Sequence, residues 1–351
     1  MSNPQSPFKF LDAYGKDEMH SFFGRDQEIE ALYSLVFQGK LILLYGASGV
    51  GKTSLIQCGL ANKFHPTQWQ ELFIRRRDNI NGSIREVVNK AIGESNPKGQ
   101  TEIPEDLHDS LHLLYLYNFK PIYLIFDQFE ELFIFGTEEE QIQFFEFVKK
   151  ILSSELSCKI LLSMREEYLA HLSEFEKIVP SIFDHRFRVE RMNRKNLSEV
   201  IQKTADLYEI EIPKAESVID QMLENLSDKR GVDLTNLQVY MDRLYREDQK
   251  RESFRREGPR FDKQLINSVG ELKDVMGSFL EEQLGILESD LGKKDIPLDI
   301  LFSLVSDEAT KRSIEIDDIK ESLYRRKNIS AEDIDYCIQR FFELRIFKEV
   351  N

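Results

Sequence analysis

Residues 41–56, LILLYGASGVGKTSLI, decide the fold of this chain. An apolar run at 41–45 has the pattern of a buried strand, and it leads into a loop with the spacing G-x-x-x-x-G-K-[ST], which ends at Lys52 and Thr53. Small residues inside the loop leave space for phosphate groups, and the N–H groups at the start of the next helix attract anions. The stretch therefore predicts a phosphate-binding loop (P-loop) for a nucleoside triphosphate.

The predicted ligands are the nucleotide, ATP or ADP, and Mg²⁺. Lys52 is expected to reach the β- and γ-phosphates, and the Thr53 hydroxyl is expected to ligate the metal. Asp127 ends the apolar run 122–126 and offers a carboxylate that holds Mg²⁺ opposite Thr53. The loop residues expected to surround the nucleotide are Gly46, Ala47, Ser48, Gly49, Val50, Gly51, Lys52, Thr53 and Ser54.

Two glutamates are candidates for the catalytic base. Glu130 and Glu131 follow Asp127 closely enough for either carboxylate to orient an attacking water molecule. The alternative is that both are acidic residues favoured by the dipole at a helix N-terminus. Arg165 ends a later apolar strand, and its guanidinium points to the γ-phosphate if that strand lies between the P-loop strand and the Asp127 strand. A surface ion pair is the alternative for Arg165.

Composition limits the possible functions. The 351 residues predict two or three domains, and the net charge of −15 with a pI near 5.1 argues against a general nucleic-acid or membrane surface. No apolar span of membrane-crossing length occurs, and the start, MSNPQSPFKF, lacks a signal-peptide pattern, so we expect a cytoplasmic protein. The three cysteines are isolated, which argues against a disulfide framework or a zinc site.

Residues 1–192 alternate strands with helices, the pattern of a parallel α/β sheet. Residues 193–290 read as helices only, which predicts a separate helical domain. Residues 291–351 predict three helices and a strand, RIFKEV, which together suggest a winged helix. The expected strands are 41–45, 71–75, 122–126, a strand from 158 and 185–190, and the expected later helices are 195–208, 214–226, 232–246, 262–284, 297–305, 315–326 and 331–344. Because the chain ends where a wing turns back, we expect a longer protein.

Several motifs in this order resemble the STAND class of signal-transducing ATPases, in particular bacterial STAND NTPases related to the NACHT and apoptotic ATPase groups. FFGRDQEIEAL is similar to the FxGR segment, which borders the adenine in relatives. GASGVGKTSL and IYLIFDQFEELF are similar to the two Walker motifs, and LLSMREEYL is similar to the sensor strand that carries Arg165. LTNLQVYMDRLYRE and LINSVGELKDVMGSFLEEQL resemble the helical domain that precedes a winged helix.

The resemblance implies an ASCE-type P-loop sheet of five parallel strands in the order 5-1-4-3-2, a helical lid and a winged helix. It also assigns Phe23, Gly24 and Arg25 to nucleotide binding. Gln128 stands where many related enzymes have the base glutamate, which leaves the choice between Glu130 and Glu131 open. No histidine follows His185, so the winged-helix histidine that contacts ADP in some relatives has no counterpart here.

The function implied by the resemblance is a slowly hydrolysing ATP switch in bacterial signalling or antiviral defence. ADP holds it closed, and ATP favours an open form that assembles into a homo-oligomer. A C-terminal sensor region and a separate effector are expected partners, whereas a membrane and nucleic acid are not. Two alternatives remain: an ATPase acting on DNA, similar to origin-recognition AAA+ proteins, and a scaffold that binds nucleotide without turnover.

Overall fold

The structure is a computed structural model that describes residues 6–9, 12–96, 103–227, 231–251, 258–304, 316–327 and 329–343. The chain separates into two compact units, Met1–Ser268 and Val269–Asn351. The predicted division into three domains with boundaries at residues 192 and 290 stays a prediction.

The first unit is built on a sheet of five parallel strands in the order β2-β3-β4-β1-β5. This is the predicted order 5-1-4-3-2 counted from the other edge, so the prediction is confirmed. The strands are β1 (Leu41–Gly46), β2 (Gln70–Ile74), β3 (Ile122–Phe126), β4 (Cys158–Arg165) and β5 (Arg186–Arg188). Since β4 pairs with both β1 and β3, the P-loop, Asp127 and Arg165 lie at the same carboxyl edge of the sheet.

The central strands are apolar because helices cover both faces of the sheet. Every residue of β3 is buried, and this explains its continuous apolar run without alternation. Leu43 and Leu162 point into the apolar cluster on one face of the sheet, and Ile42 and Leu161 point into the cluster on the other face. Complete burial of one such side chain contributes about 1.5–3 kcal/mol. The edge strand β5 instead exposes its two arginines, as a strand at the sheet margin can.

Helices precede β1, lie between the strands along the chain and continue after β5. One helix starts in the P-loop: Lys52–Ser54 is α-helical, Leu55–Leu60 is π-helical and Ala61–Lys63 is a 3-10 turn. Asp26 is the first helical residue of the preceding helix, after Arg25. The other α-helices are Asp26–Leu35, Ile80–Ser95, Leu107–Asn118, Glu131–Phe135, Glu138–Ser153, Leu169–Leu172, Arg194–Leu207, Ala215–Leu226, Leu234–Gln249 and Lys263–Val269, with 3-10 turns at Lys16–Ser21, Glu166–Tyr168 and Ser173–Phe175.

The second unit contains the helices Leu272–Leu291, Ile296–Ser303, Ile316–Lys327 and Ala331–Glu343. Its core includes Ile300, Ile334 and Phe341, each at 0% exposure. The predicted single helix at 262–284 is wrong, because the chain leaves the helix at Gly270, whose φ of +80° lies in the left-handed region.

The predicted strand RIFKEV lies outside the described residues, so the winged helix stays a prediction. None of the helices in the described part of the chain has the length and apolar character that a bilayer crossing requires.

Candidate nucleotide-binding site

The P-loop connects β1 to its helix through two left-handed glycines. Gly49 has a φ of +72° and Gly51 a φ of +88°, a backbone that residues with a side chain rarely adopt. Lys52 folds back over this loop, and its Nζ donates hydrogen bonds of 2.9 Å to the carbonyls of both Gly46 and Ala47. Burial lowers the pKa of the Lys52 ammonium group, and the negative charge of Glu130 opposes this shift. Lys52, the predicted phosphate-binding cation, therefore lies against the loop carbonyls and within the influence of the Glu130 charge.

The two predicted metal ligands are in direct contact. The Thr53 hydroxyl donates to the Asp127 carboxylate, at 3.0 Å from Oδ1 and 3.2 Å from Oδ2. Asp127 is only 3% exposed, so its carboxylate is held in one place beside the P-loop helix. Hydroxyl and carboxylate oxygens are the donors that Mg²⁺ prefers, so this pair fits the implied metal.

The chain turns sharply after Asp127 because Gln128 adopts a left-handed conformation with a φ of +58°. The Glu131 N–H closes the turn by donating to the Gln128 carbonyl at 3.0 Å. Phe129 becomes buried, and its N–H donates to the carbonyl of Ser163 in β4 at 2.9 Å. This reversal brings the next residue, Glu130, back towards the end of β4.

Glu130 is paired with Arg165 at that strand end. The backbone N–H of Arg165 donates to Glu130 Oε2 at 3.2 Å, and the guanidinium Nε lies 3.1 Å from Oε1. Arg165 is opposite Gly46 in the register of β4 and β1, so the pair adjoins the P-loop. Glu131 begins the short helix Glu131–Phe135 and is half-buried. Of the two candidate bases, Glu130 is the one that these contacts attach to the sheet edge carrying the P-loop.

Sequence reasoning missed Arg75, which follows β2. Its Nη2 donates to Asp127 Oδ2 at 2.7 Å, and its Nε lies 3.3 Å from the same oxygen. A signal was available, because Arg75 follows an apolar strand in the same way as Asp127 does. Since carboxyl ends of parallel strands meet at one edge, a polar residue at each strand end is a candidate site residue.

Arg25 of the FxGR segment is buried and bonded to main-chain groups. It is 3% exposed, and its Nη2 donates to the carbonyls of Val50 and Glu190 at 2.9 Å each. Its other terminal nitrogen pairs with Glu28. Arg25 thus ties the P-loop to the segment that follows β5, and its predicted contact with the nucleotide stays a prediction.

Gly24 is required by close packing as well as by backbone conformation. Its φ is +78°, and a Cβ at this position would lie 2.7 Å from Val200 Cγ2. The segment therefore runs directly against the helix Arg194–Leu207. The predicted nucleotide contacts of Phe23 and Gly24 also stay predictions.

A largely apolar cavity adjoins the P-loop on the side of the FxGR segment. Its lining includes Tyr14, Phe22, Phe23, Met192, Leu237 and Gln238. The Tyr14 hydroxyl accepts a hydrogen bond of 3.1 Å from Gln238 Nε2, and its backbone N–H donates to Ser54 Oγ at 3.1 Å. Aromatic and aliphatic walls with a few amide and hydroxyl groups are typical of sites for a planar base.

The helix Leu234–Gln249 begins directly on the P-loop. The Leu234 N–H donates to the Gly49 carbonyl at 3.3 Å. Asp233 caps this helix by accepting from the Thr235 N–H at 2.8 Å, and a Cβ added to Gly49 would lie only 1.9 Å from Asp233 Oδ2. The phosphate loop is therefore in contact with the domain that sequence analysis predicted to be a lid.

Comparison with known proteins gives one family match. The sequence model described as Novel STAND NTPase 1 (nSTAND1) matches residues 7–348. No curated protein sequence matches the chain.

Similar folds occur among solved ATPase structures. The ORC1 protein of Aeropyrum pernix, solved in complex with DNA, is 12% identical with a TM-score of 0.52, covering 93% of this chain and 84% of that one. The Walker-type ATPase PABY2304 of Pyrococcus abyssi is 15% identical with a TM-score of 0.52, covering 95% and 92%. The ADP form of the A. pernix ORC2 protein is 14% identical with a TM-score of 0.52, covering 96% and 90%. At these identities the likeness shows the fold alone.

Proposed function

This chain belongs to the novel STAND NTPase 1 family, and from that membership we propose that it is a cytoplasmic switch that binds ATP or ADP with Mg²⁺ and hydrolyses ATP slowly. In this proposal ADP holds the lid helices closed on the P-loop. ATP stabilises an open form that associates with further copies of the chain. The process controlled is bacterial signal transduction or antiviral defence.

The observation that carries the proposal is the contact between the lid helix Leu234–Gln249 and the P-loop. A nucleotide changes a conformational equilibrium only through its different affinities for the two states. Because the Leu234 N–H donates to Gly49 and Asp233 adjoins the same glycine, occupancy of the loop acts directly on the start of this helix. The arrangement therefore supports a switch as well as an ATPase.

Each residue of the site has a proposed role. Bound Mg²⁺ would neutralise phosphate charge, and Thr53 with Asp127 would hold it. Lys52 binds the phosphates, Glu130 orients the attacking water and accepts its proton, and Arg165 contacts the γ-phosphate. The Glu130–Arg165 pair supports the last two roles, because one contact places both side chains beside Gly46.

Replacing Arg165 with alanine should weaken ATP binding more than ADP binding, because only ATP has the γ-phosphate that the guanidinium is proposed to contact. Calorimetric titration with ADP and a non-hydrolysable ATP analogue measures both affinities. Arg194→Ala is the matched control, since Arg194 is similarly exposed but pairs with Asp220. Equal losses for the two nucleotides would assign Arg165 a structural role.

ADP should slow amide hydrogen exchange in the first turns of Leu234–Gln249 more than a non-hydrolysable ATP analogue does. The reason is that the closed state keeps this helix against the P-loop, whereas the open state exposes it. Light scattering on the same samples reports whether association accompanies opening. The same exchange rates with both nucleotides would contradict a switch, whether or not the protein hydrolyses ATP.

A second candidate is an ATPase that acts on DNA, since the ORC1 neighbour was solved with DNA. The helix Ala331–Glu343 does not favour this candidate. Its first turn contains Glu332 and Asp333, and its buried apolar residues include Ile334 and Phe341. A DNA-reading helix needs groups such as Arg, Lys, Asn or Gln towards the bases, and this helix has them at Gln339 and Arg340, in its second half, rather than in its acidic first turn. Titration with duplex DNA at several salt concentrations tests the candidate, because phosphate contacts make affinity fall as salt rises.

A further inference from the structure

Two carboxylates that follow β3 at the carboxyl edge of the sheet are each paired with an arginine from a neighbouring strand end. Glu130 pairs with Arg165, which ends β4, and Asp127 pairs with Arg75, which follows β2. The roles proposed above use the first pair only. The second pair involves the carboxylate expected to hold the metal.

Both oxygens of Asp127 are occupied by partners within the chain. Oδ1 accepts from the Thr53 hydroxyl at 3.0 Å, while Oδ2 lies 2.7 Å from Arg75 Nη2. The Thr53 contact is compatible with a shared metal, because both groups are oxygen ligands. The Arg75 contact is different, because it places a positively charged guanidinium against the carboxylate that is expected to bind the metal ion.

We propose that Arg75 competes with the divalent metal for Asp127 and so sets the metal concentration that the nucleotide site requires. Mg²⁺ and a guanidinium both need the negative charge of this carboxylate, and two cations on one carboxylate repel each other. Metal binding must therefore weaken the Arg75–Asp127 ion pair or displace the guanidinium. This inference rests on the proposed nucleotide-binding function.

The surroundings of Arg75 allow such a displacement. Its side chain is 53% exposed, whereas Asp127 is buried, so the arginine is the mobile partner of the pair. A cavity of about 200 Å³ adjoins the pair, and its walls include Phe73, Val87 and Glu86. The cavity gives a displaced guanidinium space to move into without leaving the protein surface.

The test measures metal binding rather than turnover. Mn²⁺ replaces Mg²⁺ as the probe, and electron paramagnetic resonance follows the free ion while Mn²⁺ is titrated into the full chain with saturating ADP. Arg75→Gln removes the competing charge, so the Kd for Mn²⁺ should fall about fivefold, the scale of a half-exposed ion pair. Arg75→Lys keeps the charge and should stay within about twofold of the wild type.

Arg77→Gln is the matched control. Arg77 lines the same cavity and is 63% exposed, but its partner is Glu86 rather than Asp127, so its Kd for Mn²⁺ should not change. Unchanged or weaker Mn²⁺ binding by Arg75→Gln overturns the proposal. The proposal also fails if Arg75→Lys increases the affinity for Mn²⁺ as much as Arg75→Gln does. ADP affinity measured without metal separates the two proposals: if the wild type does not bind ADP at all, the proposed function fails together with this inference.

Discussion

Replacing Lys52 with alanine should abolish ATP turnover and weaken nucleotide binding by on the order of 10- to 100-fold, because each hydrogen bond to a charged group contributes about 1.5–3 kcal/mol. The fold should survive the change. The ammonium group donates to the loop carbonyls of Gly46 and Ala47, and the lysine is half-buried rather than part of a core cluster.

Calorimetric titration with ADP and ATP analogues measures this loss, and a thermal melt checks the fold. Lys63→Ala is the matched control, since Lys63 ends the same helix and pairs with Glu30 on the surface. Unchanged affinity and turnover in Lys52→Ala would disprove the nucleotide site. An unfolded variant would show instead that the lysine stabilises the loop.

Replacing Glu130 with glutamine should slow ATP hydrolysis by roughly 10²- to 10⁴-fold, the contribution of a positioned general base, while ATP still binds. The amide has nearly the shape of the carboxylate and can still accept from the Arg165 N–H, but it cannot take a proton from water. Glu130 is 4% exposed and attached to the end of β4, whereas Glu131 is half-buried at a helix start.

A single-turnover assay with labelled ATP gives the rate, and filter binding gives the fraction of ATP that is bound. Glu131→Gln is the matched control and should retain turnover. If Glu131→Gln hydrolyses ATP slowly and Glu130→Gln does so at the wild-type rate, Glu131 is the base. If both variants hydrolyse ATP at the wild-type rate, the base is another residue. Wild-type protein that binds ATP without any turnover would support the scaffold alternative.

The sequence by itself predicted the buried strands of the sheet and the residues proposed for the site. The apolar runs before the P-loop and before Asp127 predicted buried strands, and the structure has them at Leu41–Gly46 and Ile122–Phe126. The position of Asp127 after its apolar run predicted a carboxylate opposite Thr53, and the structure has the two side chains in contact. The strand order followed from the family resemblance rather than from the apolar pattern.

Only the tertiary structure decided which charged groups become partners. Arg75 and Asp127 are 52 residues apart, and nothing near either residue specifies their contact. The sequence also contains no sign of the left-handed turn at Gln128, because glutamine rarely adopts a positive φ. That turn places Glu130, rather than Glu131, against Arg165.

The same holds for the contact between the lid and the P-loop. Local sequence predicted a helix at 232–246, and the structure has it at Leu234–Gln249, but its docking on Gly49 depends on the packing of the whole first unit. Periodicity and loop spacing act over a few residues and therefore determine elements and local motifs. Side-chain partners and lid contacts arise from chain segments that meet only after the sheet has formed, so their geometry appears only in the folded structure.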